Sequence, residues 1–292
     1  MILKVNGLKF RTTFLFMFFL IYLTFLNRFL DVVVFLISMF LHEIAHAVTA
    51  WGFGCKIDEI ELMPFGGVAR IKNMFAMDDL TEAIVALVGP LTNFGIAISV
   101  ILLKNNQIFL SDASVIDTIV RANIILAVFN LLPVLPLDGG RVLKLYLASF
   151  IGYGKAVDIT VFGGKLLAAV LFFGGFLMFY YNRTINPLIF LLSGFLFYAA
   201  QKEKRFTGYK IIKSSSLKKI KIKKNGCLNI KTLAVISEAP VKEVIQRFSP
   251  KNYYILVVIE GDNWNVKKIV SETELIEGWV EKGFNAKIKD II

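Results

Sequence analysis

The residue types and spacing that point most directly to chemistry are His42, Glu43 and His46, which form an H-E-x-x-H pattern. On an α-helix, His42 and His46 lie one turn apart on the same face. Two imidazoles at that spacing can bind one Zn²⁺, and Glu43 is then close enough to take a proton from a water molecule at the metal. We therefore predict that His42 and His46 are zinc ligands and that Glu43 is the general base.

The residues around this pattern support a metal site over a chance arrangement. Residues 29–51 are almost all apolar and long enough to cross a bilayer as a helix. Charged and imidazole side chains inside such a helix cost free energy unless they have a partner or a function. The alternative is that they only satisfy hydrogen bonds between packed helices. Because both histidines of the chain fall in this one pattern, we favour the zinc site.

The composition is that of a polytopic membrane protein and excludes an ordinary soluble domain. The chain has 292 residues, of which 56% are hydrophobic, and its mean hydropathy is +0.66. We predict six membrane helices at residues 12–26, 29–51, 80–103, 113–135, 157–181 and 185–200, followed by a small α/β domain. The two cysteines are far apart and suggest no disulfide framework.

Basic residues suggest how the chain is oriented. Residues 202–231 contain eleven Lys or Arg and one acid, Glu203, within a chain of net charge +11. Only Phe206 and Tyr209 are aromatic there, so contact with anionic lipid at the cytosolic surface fits better than nucleic-acid binding. Six helices place both termini in the cytosol under the positive-inside rule. The same count brings His42, His46 and Asp138 to one depth.

Asp138 is the candidate for the third zinc ligand. A catalytic zinc site needs a third protein ligand, and the chain has no further histidine. Residues 130–140 read N-x-x-P-x-x-P-L-D-G-G. The prolines should end a helix, and the glycines should let the backbone turn, so we predict that Asp138 lies on a non-helical element. The alternative is that Asp138 caps the start of a helix at Arg141.

Further polar and turn residues are candidates for substrate contact. Asn130 and Asn93 would hydrogen-bond the substrate or stabilise an oxyanion, although helix packing through their amides is an open alternative. Residues 52–79 alternate around a Pro/Gly break, which predicts a hairpin beside the site. We expect this hairpin, at Phe65 and Gly66, to pair with an unwound substrate segment, with an ordinary interfacial loop as the alternative.

Three motifs in this order resemble the site-2 family of intramembrane zinc metalloproteases. They are H-E-x-x-H, G-P-x-x-N at residues 89–93 and N-x-x-P-x-x-P-L-D-G-G, and together they span about residues 29–141. The resemblance implies that His42, His46 and Asp138 bind zinc and that Glu43 is the catalytic base. Asn130 matches the asparagine of the last family motif, and Asn93 matches that of the middle one.

The C-terminal residues resemble a single CBS domain, at residues 239–244, 254–258 and 269–275. A six-helix core with one CBS domain is similar to the sporulation branch of the family, which cleaves a membrane-associated sigma-factor precursor of the pro-sigma-K type. The resemblance implies such a substrate, inhibitory membrane partner proteins, and ATP binding at the CBS-like domain. Since one CBS unit is too small for the paired CBS fold, we also expect a homodimer or larger assembly formed through Ile255, Val257 and Ile259.

The predicted organisation is a membrane metalloprotease domain at residues 1–201, a basic linker at 202–235 and a CBS-like domain at 236–292. One alternative function is a site-2-type protease of another pathway, which cleaves an anti-sigma factor or a signal-peptide remnant. A metal-binding transporter is disfavoured because its ligands would be spread along a path through the membrane. An inactive scaffold is disfavoured because a structural zinc site needs no base such as Glu43.

Overall fold

The computed structural model describes residues 2–5, 8–12, 29–63, 66–72, 79–105, 113–183, 186–225, 230–249, 252–260, 264–283 and 286–292. Within these residues the chain forms two compact units, Met1–Val142 and Leu143–Ile292. Each unit contains one β-sheet. The first unit holds every residue of the predicted metal site.

Three long helices form the helical part of the first unit. They are α1 (Phe29–Gly52), α2 (Asp79–Asn105) and α3 (Ala113–Asn130), and each packs against the other two. The predicted helices at residues 29–51 and 80–103 are confirmed within a few residues. Pro90 lies inside α2 without ending it. The apolar composition of these helices allows close packing on several sides of each.

The predicted helix at residues 113–135 is too long, because α3 ends at Asn130. Pro133 and Pro136 follow, and proline can neither donate the helical hydrogen bond nor fit behind the preceding turn. The prediction that Asp138 lies on a non-helical element is wrong. Asp138 is the first residue of the next helix, α4 (Asp138–Ile151), where a carboxylate favours the positive end of the helix dipole.

A four-stranded sheet belongs to the first unit. Its strands are β1 (Ile2–Val5), β2 (Leu8–Thr12), β3 (Lys56–Met63) and β4 (Gly66–Lys72), in the order β1-β2-β3-β4. The β2–β3 pair is parallel and the other two pairs are antiparallel. The predicted hairpin is confirmed as β3–β4, with Met63 opposite Gly66 and β4 lying against α1.

No strand was predicted for the N-terminal residues. Residues 2–12 contain two strands, and β2 is completed by pairing with β3, which lies far along the sequence. A strand formed by such long-range pairing gives little local signal. The predicted helix at residues 12–26 lies outside the described residues, except for Thr12, which ends β2.

A pair of long helices begins the second unit. These are α5 (Tyr153–Asn182) and α6 (Pro187–Asn225), and they pack along each other. Gly175 of α5 allows the side chains of Ile189 and Phe190 to approach closely, since an added Cβ would lie 3.0 Å from Ile189. The predicted helices at residues 157–181 and 185–200 correspond to α5 and to the first part of α6.

Within the predicted basic linker at residues 202–235, α6 continues as a helix to Asn225. Lysine, leucine and isoleucine are compatible with helix, and no proline interrupts this stretch. A strand, β5 (Ile230–Ile236), follows inside the same predicted linker. The C-terminal domain therefore begins by Ile230 rather than at residue 236.

The C-terminal domain has the element order β5, α7 (Val241–Gln246), β6 (Tyr253–Glu260), β7 (Asn265–Ser271) and α8 (Glu272–Lys282). The small α/β domain predicted for this segment is confirmed. The β5–β6 pair is parallel, and the β6–β7 pair is antiparallel. Both helices contribute to one buried core with the inner side chains of β6, among them Tyr254, Leu256 and Val258. Ser271 and Glu274 form a capping box that fixes the start of α8.

Three helices of the described chain are long and apolar enough to cross a membrane: Leu30–Gly52, Asp79–Lys104 and Tyr153–Asn182. These segments identify a membrane protein. The six predicted spans and the cytosolic placement of both termini stay predictions.

Candidate active site

One face of α1 presents the polar residues of the site. Ser38, His42 and His46 follow one another at intervals of four residues, so they lie along one stripe of the helix. All three are buried, and the two histidines are only 3% and 6% exposed. Burial of two imidazoles in an apolar helix bundle requires partners for their ring nitrogens.

Helix α2 supplies those partners from a matching stripe. Val85, Gly89 and Asn93 also lie four residues apart, and they oppose the α1 stripe in antiparallel order. His46 Nδ1 donates to the main-chain oxygen of Val85 at 2.6 Å. His42 Nδ1 donates to Oδ1 of Asn93 at 2.5 Å. Each histidine therefore has its Nδ1 held by α2, and its Nε2 is directed away from that contact.

Gly89 allows the two helices to approach at the level of the imidazoles. A Cβ on this residue would lie 2.7 Å from Nε2 of His42 and would overlap the His46 ring. Only a residue without a side chain fits against both rings. The G-P-x-x-N motif was recognised in the sequence, but the packing role of its glycine was not.

Asp138 reaches the histidines from the first turn of α4. Residues 131–137 lead from α3 into this turn, and the backbone of Gly139 and Gly140 lies directly against them. An added Cβ at Gly139 would lie 2.7 Å from the Leu132 oxygen, and one at Gly140 would overlap the Val134 backbone. The glycines thus permit close packing of a helix start, rather than the sharp turn predicted from the sequence.

Three ligand atoms converge at the centre of the site. His42 Nε2 lies 3.1 Å from Asp138 Oδ2, His46 Nε2 lies 3.2 Å from the same oxygen, and the two Nε2 atoms are 3.1 Å apart. In this nearly equilateral triangle, a point about 2.0 Å from all three atoms lies about 1 Å above the plane, which matches zinc–nitrogen and zinc–oxygen bond lengths. His42, His46 and Asp138 could therefore hold a metal ion.

The protonation of the rings points the same way. Because each Nδ1 donates to an oxygen acceptor, a neutral imidazole has its lone pair on Nε2. Two such lone pairs and a carboxylate oxygen then meet within 3.2 Å. Three acceptors at that spacing repel one another unless a positive charge lies between them. Two imidazoles and one carboxylate are a donor set that catalytic zinc sites use, so the residues present fit zinc.

Glu43 lies beside this triangle. It follows His42 on α1 and is 5% exposed. The Arg141 guanidinium lies near Asp138, with its Nη1 3.9 Å from Oδ1 of that carboxylate. The oxygen of Asp138 that points to the histidines is Oδ2, so Arg141 and the histidines approach different oxygens.

The predicted substrate residues have different environments. Asn93 is fully buried, and its hydrogen bond to His42 gives it a role in holding that ligand. Asn130 ends α3 and donates from Nδ2 to the Leu126 oxygen of its own helix at 3.1 Å. Gly66 begins β4, opposite Met63. Phe65 lies outside the described residues. Substrate contact by these four residues stays a prediction.

Sequence analysis missed several residues of the site. Asn123 of α3 is 1% exposed and hydrogen-bonds both Asn93 and Ser38. Its signal was present, because an amide in an apolar helix usually has a partner. Ser38 lies one turn before His42, at a spacing that was available from the sequence. The Val85 main-chain oxygen had no sequence signal at all.

The family comparison matches this region of the chain. The model of Peptidase family M50 matches residues 31–122 and 110–173. The solved structure of a site-2 protease from Methanocaldococcus jannaschii is similar to this chain, with a TM-score of 0.59 and 29% identity. That match covers 70% of this chain and 94% of the other. Together these findings show that the chain is similar to Peptidase family M50 over residues 31–173 and to a solved site-2 protease over most of its length.

Individual relatives agree with that similarity. A zinc metalloprotease from M. jannaschii is 29% identical over 77% of this chain. The putative zinc metalloprotease Rip3 of Mycobacterium tuberculosis is 31% identical over 59%. Stage IV sporulation protein FB of Bacillus subtilis is 28% identical over 41% of this chain and 41% of its own length. The chain spans 62% of the length of the archaeal relative and 44% of the mycobacterial one.

Proposed function

We propose that the chain is an intramembrane zinc metalloendopeptidase that cleaves a membrane-associated protein. The observation that supports this most is the meeting of His42 Nε2, His46 Nε2 and Asp138 Oδ2 within 3.2 Å of one another, in a helical unit that contains two candidate membrane spans. The match to a peptidase family and relatives named zinc metalloproteases support the same activity.

The chain's own residues would divide the work as follows. His42, His46 and Asp138 would hold the zinc ion, which when bound supplies Lewis acidity toward a water molecule and a scissile carbonyl. Glu43 would take a proton from the attacking water and deliver it to the leaving amine. Asn93 and the Val85 oxygen keep the imidazoles oriented through their Nδ1 protons. The helices around the site limit access of bulk water.

A substrate segment must be extended at the site, since the peptide bonds of an intact helix are shielded by their neighbours. Strand β4 ends the order β1-β2-β3-β4 among the described strands, and it lies against α1. We propose that an unwound substrate pairs with this edge, near Gly66 and Phe65. Asn130 would hydrogen-bond the same segment.

The finer substrate class follows the sporulation resemblance. A membrane-associated sigma-factor precursor of the pro-sigma-K type is our proposed substrate, with inhibitory membrane proteins as partners. The match to stage IV sporulation protein FB supports it over 41% of the chain. The match to the archaeal zinc metalloprotease extends over 77% of this chain. It gives equal support to the second candidate, a site-2-type protease of another pathway.

The C-terminal domain would serve recognition. Its β-α-β-β-α order fits the CBS-like unit inferred from the sequence. Ile236, Val266 and Ile269 expose more than half of their surface on the sheet, whereas the predicted contacts Ile255, Val257 and Ile259 are half-buried. We propose that this sheet joins two copies into a homodimer, that the basic part of α6 contacts anionic lipid, and that both termini are cytosolic. ATP binding stays a prediction.

The test is co-expression with membrane-tethered candidate precursors, comparing wild type with Glu43→Gln. Since Glu43 is assigned proton transfer and not coordination, the variant should retain one zinc per chain, measured by metal analysis, and lose cleavage by at least about a hundredfold. Asp117→Asn is the matched control, because it removes a carboxylate that pairs with Lys104 on the exposed surface. Cleavage by Glu43→Gln at the control rate would show that another group is the base.

A further inference from the structure

A buried polar network links His42 to α3, and the sequence motifs include only one of its other members, Asn93. Ser38 of α1, Asn93 of α2 and Asn123 of α3 are 3%, 0% and 1% exposed. They contact one another where the three helices of the first unit meet. Buried polar side chains of this kind are retained only when their hydrogen bonds are satisfied.

The hydrogen bonds of this network have a definite direction. Asn123 Nδ2 donates to the Ile119 main-chain oxygen and to Ser38 Oγ, both at 2.9 Å. Its Oδ1 accepts from Asn93 Nδ2 at 2.8 Å, and Asn93 Nδ2 also donates to the Ser38 main-chain oxygen at 3.3 Å. Asn93 Oδ1 then accepts from His42 Nδ1. Both amide nitrogens thus have two acceptors each.

Two main-chain carbonyls fix this direction, because they can only accept. The Ile119 oxygen requires the nitrogen end of the Asn123 amide, which turns Oδ1 of Asn123 toward Asn93. The Ser38 oxygen and Asn123 Oδ1 together require the nitrogen end of the Asn93 amide. Reversing either amide would place oxygen against oxygen in a buried site, at a cost of about 1–3 kcal/mol for each unmet group.

We propose that Asn123 is a positioning residue that acts through Asn93 to keep the proton of His42 on Nδ1. If the Asn93 amide turned over, its nitrogen would face His42 Nδ1, and the ring proton would move to Nε2. That proton would then point at Asp138 Oδ2, 3.1 Å away, and would occupy the lone pair needed for zinc. The inference rests on the proposed zinc site, but the tautomer of the His42 ring can be measured without metal.

The chain is well suited to that measurement, since its two histidines are both in the site. Nitrogen-15 labelling of histidine in the full-length protein gives ring signals from His42 and His46 alone, and these signals distinguish the two neutral tautomers. His46 is an internal control, because its Nδ1 donates to the Val85 main-chain oxygen and not to the amide network. In wild type, both rings should have the proton on Nδ1, first after the metal is removed by a chelator and again after zinc is added back.

Asn123→Leu removes both ends of the amide while keeping a similar volume. We expect the metal-free variant to show His42 as a mixture of tautomers and His46 unchanged. Zinc affinity, measured by competition with a chelator, should fall by about tenfold to a hundredfold, as is usual when a partner of a metal-binding histidine is lost. Thr160→Val is the control, because it removes another buried hydroxyl, bonded only within α5, and should stay within about twofold of wild type.

A double-mutant cycle separates positioning from general packing. If Asn123 acts through Asn93, the zinc affinity of Asn93→Leu/Asn123→Leu should equal that of Asn93→Leu alone. Asn123→Ala replaces the leucine variant in the cycle if the latter does not fold.

The outcomes decide the proposal separately from the proposed function. Additive losses in the cycle, equal tautomer changes at both histidines, or an unchanged His42 in Asn123→Leu would each overturn the role of Asn123. Failure of the zinc site itself would appear in wild type, as metal binding no tighter than that of His46→Ala. In that case the tautomer measurement would still decide whether Asn123 positions His42.

Discussion

The contact between α1 and α2 at Gly89 gives the most demanding test of the site geometry. In Gly89→Ala, the new Cβ would lie 2.7 Å from His42 Nε2 and would overlap the His46 ring. Ordinary contact between such atoms needs about 3.5 Å, so the His42 ring would have to withdraw by about 0.8 Å. Metal sites tolerate ligand displacements of about 0.2 Å. We therefore expect zinc affinity to fall by at least about a hundredfold.

The stability of the fold should change far less than the metal affinity. Overpacking costs about 1–3 kcal/mol, and replacing glycine by alanine in a helix returns up to about 1 kcal/mol. The variant should therefore remain folded, with a thermal midpoint within several degrees of wild type. Metal content, chelator competition and circular dichroism of the same detergent-solubilised sample separate these two effects.

Gly95→Ala is the matched control. It makes the same chemical change in the same helix, on an exposed position where a Cβ would meet nothing within 4 Å. Zinc affinity of this variant should equal that of wild type, and its stability should be equal or slightly higher. Zinc binding by Gly89→Ala within about threefold of the Gly95→Ala value would refute the close approach of α2 to the imidazoles.

The remaining predictions concern the ligands and the C-terminal domain. Metal analysis of His46→Ala and of Asp138→Ala should show loss of most zinc, because each removes one of three ligands, and full zinc in either would remove that residue from the site. Lys218→Met should lower the free energy of unfolding of the C-terminal domain by about 3–5 kcal/mol in thermal melts, since it leaves the buried Glu272 carboxylate without its ammonium partner. The double variant Lys218→Met/Glu272→Gln should recover most of this loss. No recovery would contradict the pairing. Lysine neighbours hold the pKa of Glu238 at about 2, against an ordinary value of 4.5. Its ion pairs should therefore stabilise the domain above about pH 4.5 and be lost as the pH falls toward 2. An NMR titration that gives an ordinary pKa for Glu238 at low salt would contradict these ion pairs.

The zinc-binding pattern could be predicted because its information is local. His42, Glu43 and His46 lie within five residues, and helical spacing alone places the two rings on one face. Asp138 was predicted as a zinc ligand from its motif, but the non-helical backbone predicted for it was wrong. Pro133 and Pro136 do interrupt the helix, whereas the glycines after Asp138 serve a close contact with residues 131–134. That contact depends on tertiary packing, which the order of residue types does not reveal.

The amide network shows a different limit. Asn93 was identified from the sequence as a candidate for substrate contact, yet in the structure it contacts His42, Ser38 and Asn123. Asn123 follows Asn93 by 30 residues, on another helix. The sequence gives a reason to expect that a buried asparagine has a partner. It does not give the partner, because that depends on how three helices pack together.

The basic stretch after the predicted last span illustrates how charge can mislead. A cluster of lysines suggested a basic linker at the lipid surface, yet Lys218 is 5% exposed at its side chain and donates to Glu272 at 2.7 Å and 3.0 Å. Burying an ammonium group costs several kcal/mol, so the carboxylate must be fixed in advance. The Tyr254 main-chain nitrogen donates to Glu272 at 3.0 Å and supplies part of that fixation.

Within the second unit, the start of α5 makes a further contact with the C-terminal domain. Gly152, just before α5, has φ +88°, and an added Cβ there would lie 2.8 Å from the Cα of Arg247. Gly154 is similarly close to Gln246. The domain is therefore held at two points, by an ion pair on α6 and by backbone packing at the start of α5. Because the ion pair is buried and the glycine contacts are close, the basic stretch is part of a structural helix that helps to position the domain on α5 and α6.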